Sequence, residues 1–144
     1  MTKQMIAGLA LLALTLPLTA HADVQRVSAP EGAKVYIIHP ADGAKVKSPV
    51  KVQFGLSGMG VAPAGQDIAK TGHHHLLIDT DYTALKLGEP FPATERVRHF
   101  GGGQTEVSVE LAPGTHTLQL LLGDHRHIAF DPPVVSQKIT IIVE

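Results

Sequence analysis

Apolar and polar residues alternate along several short stretches of the chain. The clearest is Pro49–Leu56, where apolar side chains alternate with Lys51, Gln53 and Gly55, and Thr105–Leu111 repeats the pattern. An alternation with a period of two is typical of a strand that has one buried face. These stretches therefore predict β-strands.

Turn residues separate the predicted strands. Pro40-Ala41-Asp42-Gly43 and Pro113-Gly114 are typical turns, because proline presets φ and glycine tolerates a positive φ. No long amphipathic helix pattern lies between the strands, so βαβ units are not expected. We predict an all-β fold, an immunoglobulin-like antiparallel β-sandwich with Greek-key connections and about seven strands. The predicted strands are 33–38, 49–56, 74–79, 105–111, 115–122 and 134–143, with a seventh inside 82–98.

The N-terminal stretch has a different pattern. Lys3 precedes the apolar run Met5–Leu18, and Ala20-His21-Ala22 is a small-residue cleavage signature. The apolar run is too short for a membrane-spanning helix. We therefore expect a periplasmic or secreted protein whose mature chain is not inserted in a membrane. The expected segments are a signal peptide cleaved after Ala22 (1–22), a polar lead (23–32) and the sandwich domain (33–144).

Composition narrows the function classes. The net charge is −1, and loss of Lys3 with the signal peptide makes it −2. A nearly neutral chain has no strong electrostatic attraction to nucleic acid or to an anionic membrane. The chain contains no cysteine, which excludes disulfides, thiolate zinc sites, blue copper sites and cysteine nucleophiles.

Histidines are the main candidate chemistry, and three of them are consecutive. Alternate side chains of a strand share a face, so His73 and His75 form one pair, while His74 faces inward with Leu76 and Ile78. In an immunoglobulin-like topology, the strand 74–79 starts at one rim of the sandwich. The segment before strand 105–111, which contains His99, and the connection after strand 115–122, which contains His125 and His127, lie at the same rim. We therefore predict a copper or zinc site at that rim, formed by His73, His75, His99, His125 and His127, with Met59 and Asp124 as additional donors.

His116 and His39 fall at the opposite end of the predicted sandwich. A strand at about 3.3 Å per residue places His116 roughly 30 Å from His125. His116 follows Pro113-Gly114, where an aromatic residue can hydrogen-bond back to the preceding turn, as in a tyrosine corner. We therefore predict structural roles for His116 and for the inward-facing His74.

Three functions remain open. The first is a periplasmic metal-handling module, and the second is a structural or partner-binding envelope module that binds no metal and has an unknown envelope protein as partner. The third is a metal-dependent enzyme, which needs an open coordination position and a base such as Asp124 or Glu106. No catalytic residue is predicted, because no serine lies in a nucleophile-elbow context. Calcium is disfavoured, since Asp79-Thr80-Asp81 lacks further oxygen ligands.

Three segments resemble a known family. They are Gly72–Asp79 (GHHHLLID), His99–Glu106 (HFGGGQTE) and Leu111–Leu120 (LAPGTHTLQL), the last followed by Gly123-Asp124. They resemble bacterial domain-of-unknown-function family 4399, and the likeness extends from about Ala33 onwards. The resemblance implies an exported envelope protein and supplies no catalytic or ligand residues.

Overall fold

The computed structural model describes residues 24–144, so the predicted signal peptide lies outside the described residues. These residues form nine strands and one short 3-10 helix, Tyr82–Ala84. The described residues contain no helix that is long and apolar enough to cross a membrane. The strands are β1 (Lys34–His39), β2 (Lys45–Val46), β3 (Val50–Ser57), β4 (Gly60–Val61), β5 (Thr71–Ile78), β6 (Val97–His99), β7 (Glu106–Val109), β8 (Gly114–Gly123) and β9 (Ile139–Val143).

The strands form two open sheets that pack as a sandwich. The smaller sheet has the order β1-β3-β7, and the larger has the order β2-β9-β8-β5-β4, with β6 also paired to β5. This arrangement confirms the predicted all-β sandwich. The prediction of about seven antiparallel strands was too simple, because β2 pairs with β9 and β4 pairs with β5 in parallel.

Two predicted strands differ in detail from the structure. The strand expected inside 82–98 is β6, which lies in the larger sheet beside β5. The last strand begins at Ile139 and not at residue 134. Before it, the Ser136 hydroxyl accepts a 2.8 Å hydrogen bond from the Leu120 backbone N–H. A side chain thus replaces a backbone carbonyl at this point, which interrupts the ladder with β8.

Strand β5 from residue 72 and strand β8 from residue 118 are buried on both faces. The core between the two sheets contains Leu76, Leu118 and Leu120. A second core, which the sequence did not predict, contains Leu77 and Phe91 on the outer face of the larger sheet. The connection between β5 and β6 covers this face. His73 and His75, which alternate with Leu77 along β5, are buried on the same face.

Candidate metal centre

Strand β5 carries the three consecutive histidines, which point to two different sides of the larger sheet. His74 lies with the inner core, its ring 5.1 Å from that of Phe54. His73 and His75 lie on the outer face. All three side chains are buried, at 0–1% exposure. The strand begins at Thr71, so these histidines lie inside it and not at the open rim that the sequence predicted.

Strand β6 brings His99 to the same outer face. The antiparallel register pairs His99 directly with His75, and residues paired in this way share one side of a sheet. The two rings are stacked, with centroids 5.1 Å apart and planes at 28°. The glycine-rich segment after β6 leaves room for the His99 ring, because a Cβ at Gly101 would lie 2.6 Å from Nε2.

The turn after β8 supplies His127. The Asp124 N–H donates to the Ile128 carbonyl, and the His127 N–H donates to the Asp124 carbonyl. This is a three-residue hairpin loop, whose last position takes the left-handed conformation. His127 occupies that position with φ of 68°. Its ring centroid lies 4.4 Å from that of His99 and 4.9 Å from that of His73.

His73, His99 and His127 form a converging set, called the triad below. One ring nitrogen from each residue lies within 4.8 Å of the corresponding nitrogens of the other two. His73 is buried, His127 is half-buried and His99 is exposed. The triad is therefore closed to solvent at His73 and accessible to solvent at His99. Three converging imidazoles are a ligand set that zinc and copper use.

His75 lies beside the triad as a fourth imidazole. Its ring centroid is 4.7 Å from that of His73, 6.1 Å from that of His127 and 4.9 Å from the edge-on ring of Phe91. Within residues 24–144, the ring nitrogens of His73 and His75 have no hydrogen-bond partner. The ring nitrogens of His74, on the inner face, lack a protein partner as well. A buried polar group without a partner costs about 1–3 kcal/mol.

Burial keeps these imidazoles neutral. Burial, followed by repulsion from His127 and His99, lowers the pKa of His73 to about 4, although Asp124 acts in the opposite direction. Burial and repulsion from neighbouring imidazoles lower the pKa of His75 to about 2. The same causes lower the pKa of His99. Metal ions bind the neutral imidazole, so the lowered pKa values keep His73, His75 and His99 in their ligand form near pH 7.

His125 does not join the triad. Its Nδ1 lies 3.4 Å from a carboxylate oxygen of Asp67, an exposed loop residue. The prediction of His125 as a ligand together with His127 assumed an extended segment, in which alternate side chains share a face. Both residues lie instead in the hairpin turn, where that alternation does not hold.

Asp124 and Met59, predicted as additional metal donors, make other contacts in the structure. One Asp124 carboxylate oxygen accepts the backbone N–H groups of Arg126 and Ile128, and the other accepts the Arg126 guanidinium at 2.7 and 3.0 Å. Asp124 therefore shapes the turn that presents His127. Met59 packs against the core between the sheets.

His116 lies in a separate hydrogen-bonded corner. Its Nε2 is 2.8 Å from the carbonyl oxygen of Ala112, and its Nδ1 is 2.7 Å from a carboxylate oxygen of Asp79. The hydrogen bond that His116 donates to the Asp79 carboxylate raises the pKa of His116. Burial acts to raise the pKa of Asp79, but hydrogen bonds from His116 and the Thr117 N–H give a net lowering. His39 is an exposed residue at the end of β1.

The residues that shape the cluster carried unequal sequence signals. Gly101 lies in an evident glycine-rich stretch. Phe91 and Gly123 carried no signal that tied them to the histidines, since Phe91 lies in a proline-rich connection without periodicity. Their contribution follows from the second core and from the pairing of β8 with β5.

The fold and the cluster define the class, a two-sheet β-sandwich protein with histidines gathered on the covered outer face of its larger sheet. The family model of a domain of unknown function, DUF4399, matches residues 52–144, and the chain belongs to this family. The matched region contains all four clustered histidines. No curated protein and no solved structure matches the chain.

Proposed function

We propose that this protein binds a copper or zinc ion through His73, His99 and His127 and acts as a metal-handling module of the bacterial envelope. The observation that carries the proposal is the convergence of three ring nitrogens within 4.8 Å of one another. A set of polar surface histidines is the alternative, but such groups normally bond to backbone or water. Among the described residues, no protein group forms a hydrogen bond with the two buried nitrogens of His73.

The donor set determines the class of ion. Imidazole nitrogens suit copper and zinc, whereas calcium and magnesium require oxygen ligands. The nearest carboxylate in the turn, Asp124, already accepts hydrogen bonds with both oxygens. The cluster therefore offers nitrogen donors, which favours Cu(II) or Zn(II).

Binding is favoured over catalysis by the positions of the two candidate bases. A hydrolytic metal site needs a free base beside the bound water. The Asp124 carboxylate is paired with Arg126, and Glu106 belongs to the smaller sheet, where it pairs with Lys51. Neither residue is placed as a free base at the triad.

The envelope location rests on the sequence pattern of Met1–Ala22. Lys3, the apolar run and the cleavage signature occur in the order expected of a signal peptide. Expression of the full chain in a bacterium, followed by fractionation and N-terminal sequencing, tests this part of the proposal. We expect a periplasmic or secreted product that begins at Asp23, and an uncleaved cytoplasmic product would contradict it.

Metal uptake by the tag-free protein tests the proposed function itself. Equilibrium dialysis against micromolar Zn(II) or Cu(II) should give one ion per chain. His99→Ala should abolish this uptake at little cost to folding, because the His99 side chain is exposed. His125→Ala is the matched control, since His125 lies two residues from His127 and faces Asp67. Absence of uptake by the unmodified protein would favour the partner-binding alternative.

A further inference from the structure

We infer that His75 is a positioning residue, whose buried ring holds the imidazole of His99 in place for the ion. The inference rests on the proposed metal binding by the triad and assigns a role to the histidine of the cluster that lies outside it. The converging nitrogens belong to His73, His99 and His127, so His75 acts on the site through His99 and not as a ligand.

His99 is the member of the triad that most needs such support. It is exposed, whereas His73 is buried and His127 is half-buried. Its strand, β6, has only three residues. An exposed side chain rotates among its staggered conformations unless a neighbour fixes it. An ion that had to immobilise the ring by itself would lose affinity through the lost rotamer freedom.

The ring of His75 covers one face of the His99 ring. The two residues are direct partners across β5 and β6, so their side chains share the outer face. Their planes are 28° apart, whereas the other ring pairs of the cluster are inclined by 42–76°. A centroid separation of 5.1 Å lies in the range of favourable aromatic stacking. Within the cluster, His75 is therefore the stacking partner of His99.

The fold fixes the ring of His75 without the help of an ion. Its side chain is 1% exposed, and strand β5 is paired on both sides, with β6 and with β8. A Cβ atom at Gly123 would lie 2.7 Å from its Cε1 and 3.2 Å from its Nδ1, so the backbone of β8 packs closely against the ring. The ring of Phe91 contacts it edge-on, at a centroid separation of 4.9 Å. His75 is thus a rigid surface for His99 to stack on.

This support forms the site before the ion arrives. Residues that hold metal ligands in place contribute about 10–100-fold to metal affinity. His99 is the ligand that solvent reaches, and therefore the one most easily released during exchange of the ion. A His99 ring that stays stacked on His75 keeps its position when the ion leaves. The pair therefore suits a site that takes up and releases its ion repeatedly.

Two substitutions of His75 separate stacking from packing and from coordination. His75→Leu fills the buried position without a planar ring, and should lower Zn(II) affinity about 10–100-fold while one ion per chain still binds. His75→Phe keeps a planar ring without a donor nitrogen, and should keep the affinity close to that of the unmodified protein. His74→Phe, on the opposite face of β5, is the matched control and should leave the affinity unchanged.

The mobility of the His99 ring in the metal-free protein is the second measurement. Carbon-13 NMR relaxation reports ring motion on the picosecond-to-nanosecond timescale. We expect a rigid His99 ring in the unmodified protein and in His75→Phe, and a mobile ring in His75→Leu. A role of His75 in packing alone would change the stability to urea and leave the mobility of the His99 ring unaltered.

The outcomes separate this inference from the proposed function. Unchanged zinc affinity in His75→Leu would overturn the positioning role and leave the triad standing, and so would a folded His75→Phe that binds zinc as weakly as His75→Leu. Absence of zinc uptake by the unmodified protein would overturn both. If either variant does not fold, the His99 ring of the metal-free unmodified protein decides. A rigid ring supports the inference, and a freely reorienting ring refutes it.

Discussion

The imidazole of His75 lies directly against Gly123 on the neighbouring strand β8. A Cβ atom added at Gly123 would approach the His75 Cε1 atom to 2.7 Å, closer than real Cβ contacts allow. The ring of Phe91 also contacts it, with centroids 4.9 Å apart and planes at 84°. The ring is thus confined between a strand that has no side chain at this point and the second core.

Substitution of Gly123 by alanine should therefore disturb the cluster. Because the buried His75 ring has little room to move, we expect Gly123→Ala to lower the free energy of unfolding by about 1–3 kcal/mol. Zinc affinity should fall in parallel. Gly60→Ala is the matched control, since its Cβ would lie an ordinary 3.5 Å from Thr71. Equal urea midpoints for the two variants would contradict the prediction.

His127 occupies a backbone conformation that favours glycine. At a φ of 68°, a residue with a Cβ is disfavoured relative to glycine. His127→Gly should therefore be more stable to urea than His127→Ala by about 1 kcal/mol, measured in the presence of a chelator. Both variants should lose metal uptake. Equal stability of the two variants would show that the turn carries no such strain.

The metal-free protein should lose stability as the pH falls below neutrality. The pKa values of His73 and His74 are lowered from 6.5 to about 4, and that of His75 to about 2, chiefly by burial. The unfolded chain therefore binds more protons than the folded chain between about pH 6.5 and pH 4. Each histidine contributes up to about 1.4 kcal/mol per pH unit to this loss.

Urea unfolding between pH 7 and pH 4.5, in the presence of a chelator, measures this slope. His74→Phe removes one of the three groups without touching the triad, so its slope should be smaller by about one histidine. A slope identical to that of the unmodified protein would show that His74 does not titrate as its burial requires.

The His116–Asp79 pair should have the opposite dependence on pH. The pKa of His116 is raised, so its contribution to stability is complete below pH 6.5 and is lost as the pH rises through the raised value. Asp79→Asn removes the carboxylate that favours the charged imidazole. Because the pair is partly exposed, we expect Asp79→Asn to cost only about 1 kcal/mol of stability at pH 6. The cost should be smaller at pH 9, where the imidazole is neutral.

Unfolding of Asp79→Asn and of the unmodified protein at both pH values checks this prediction. Asparagine can still accept the Thr117 N–H and can occupy the positive φ of position 79, so the fold is kept. Lys86→Gln, which removes an exposed ion pair with Glu89, serves as the control and should be neutral at both pH values. A cost that grows from pH 6 to pH 9 would contradict the assigned direction.

The alternation of apolar residues predicted most of the fold, because strands such as Pro49–Leu56 expose one polar face. The second core escaped prediction for a physical reason. Phe91 and its neighbours lie in an irregular connection, where no periodicity indicates which side chains are buried. Because the second core was not predicted, the sequence analysis placed the outer face of β5 at the exposed rim of the sandwich.

The cluster was predictable in part. Alternation separates His74 from His73 and His75, and an immunoglobulin-like connectivity brings the segments of His99 and His127 near them. The position of His125 was not predictable, because residues 124–128 form a turn. In this turn the backbone N–H groups of Arg126 and Ile128 donate hydrogen bonds to the side chain of Asp124. Sequence patterns for such loops usually show glycine at the left-handed position, and here it is a histidine.

The triad joins three segments that are far apart in sequence: β5, β6 and the turn after β8. An ion bound there would cross-link them and close loops of 26 residues (99 − 73) and 28 residues (127 − 99). In the chain-entropy description such a constraint is worth roughly 3–4 kcal/mol per loop. The chain has no cysteine with which to form such a bridge covalently. In a protein without disulfides, a histidine-bound ion would thus be a reversible cross-link. The supply of metal would then determine how stably the connection between β5 and β6 packs on the sandwich.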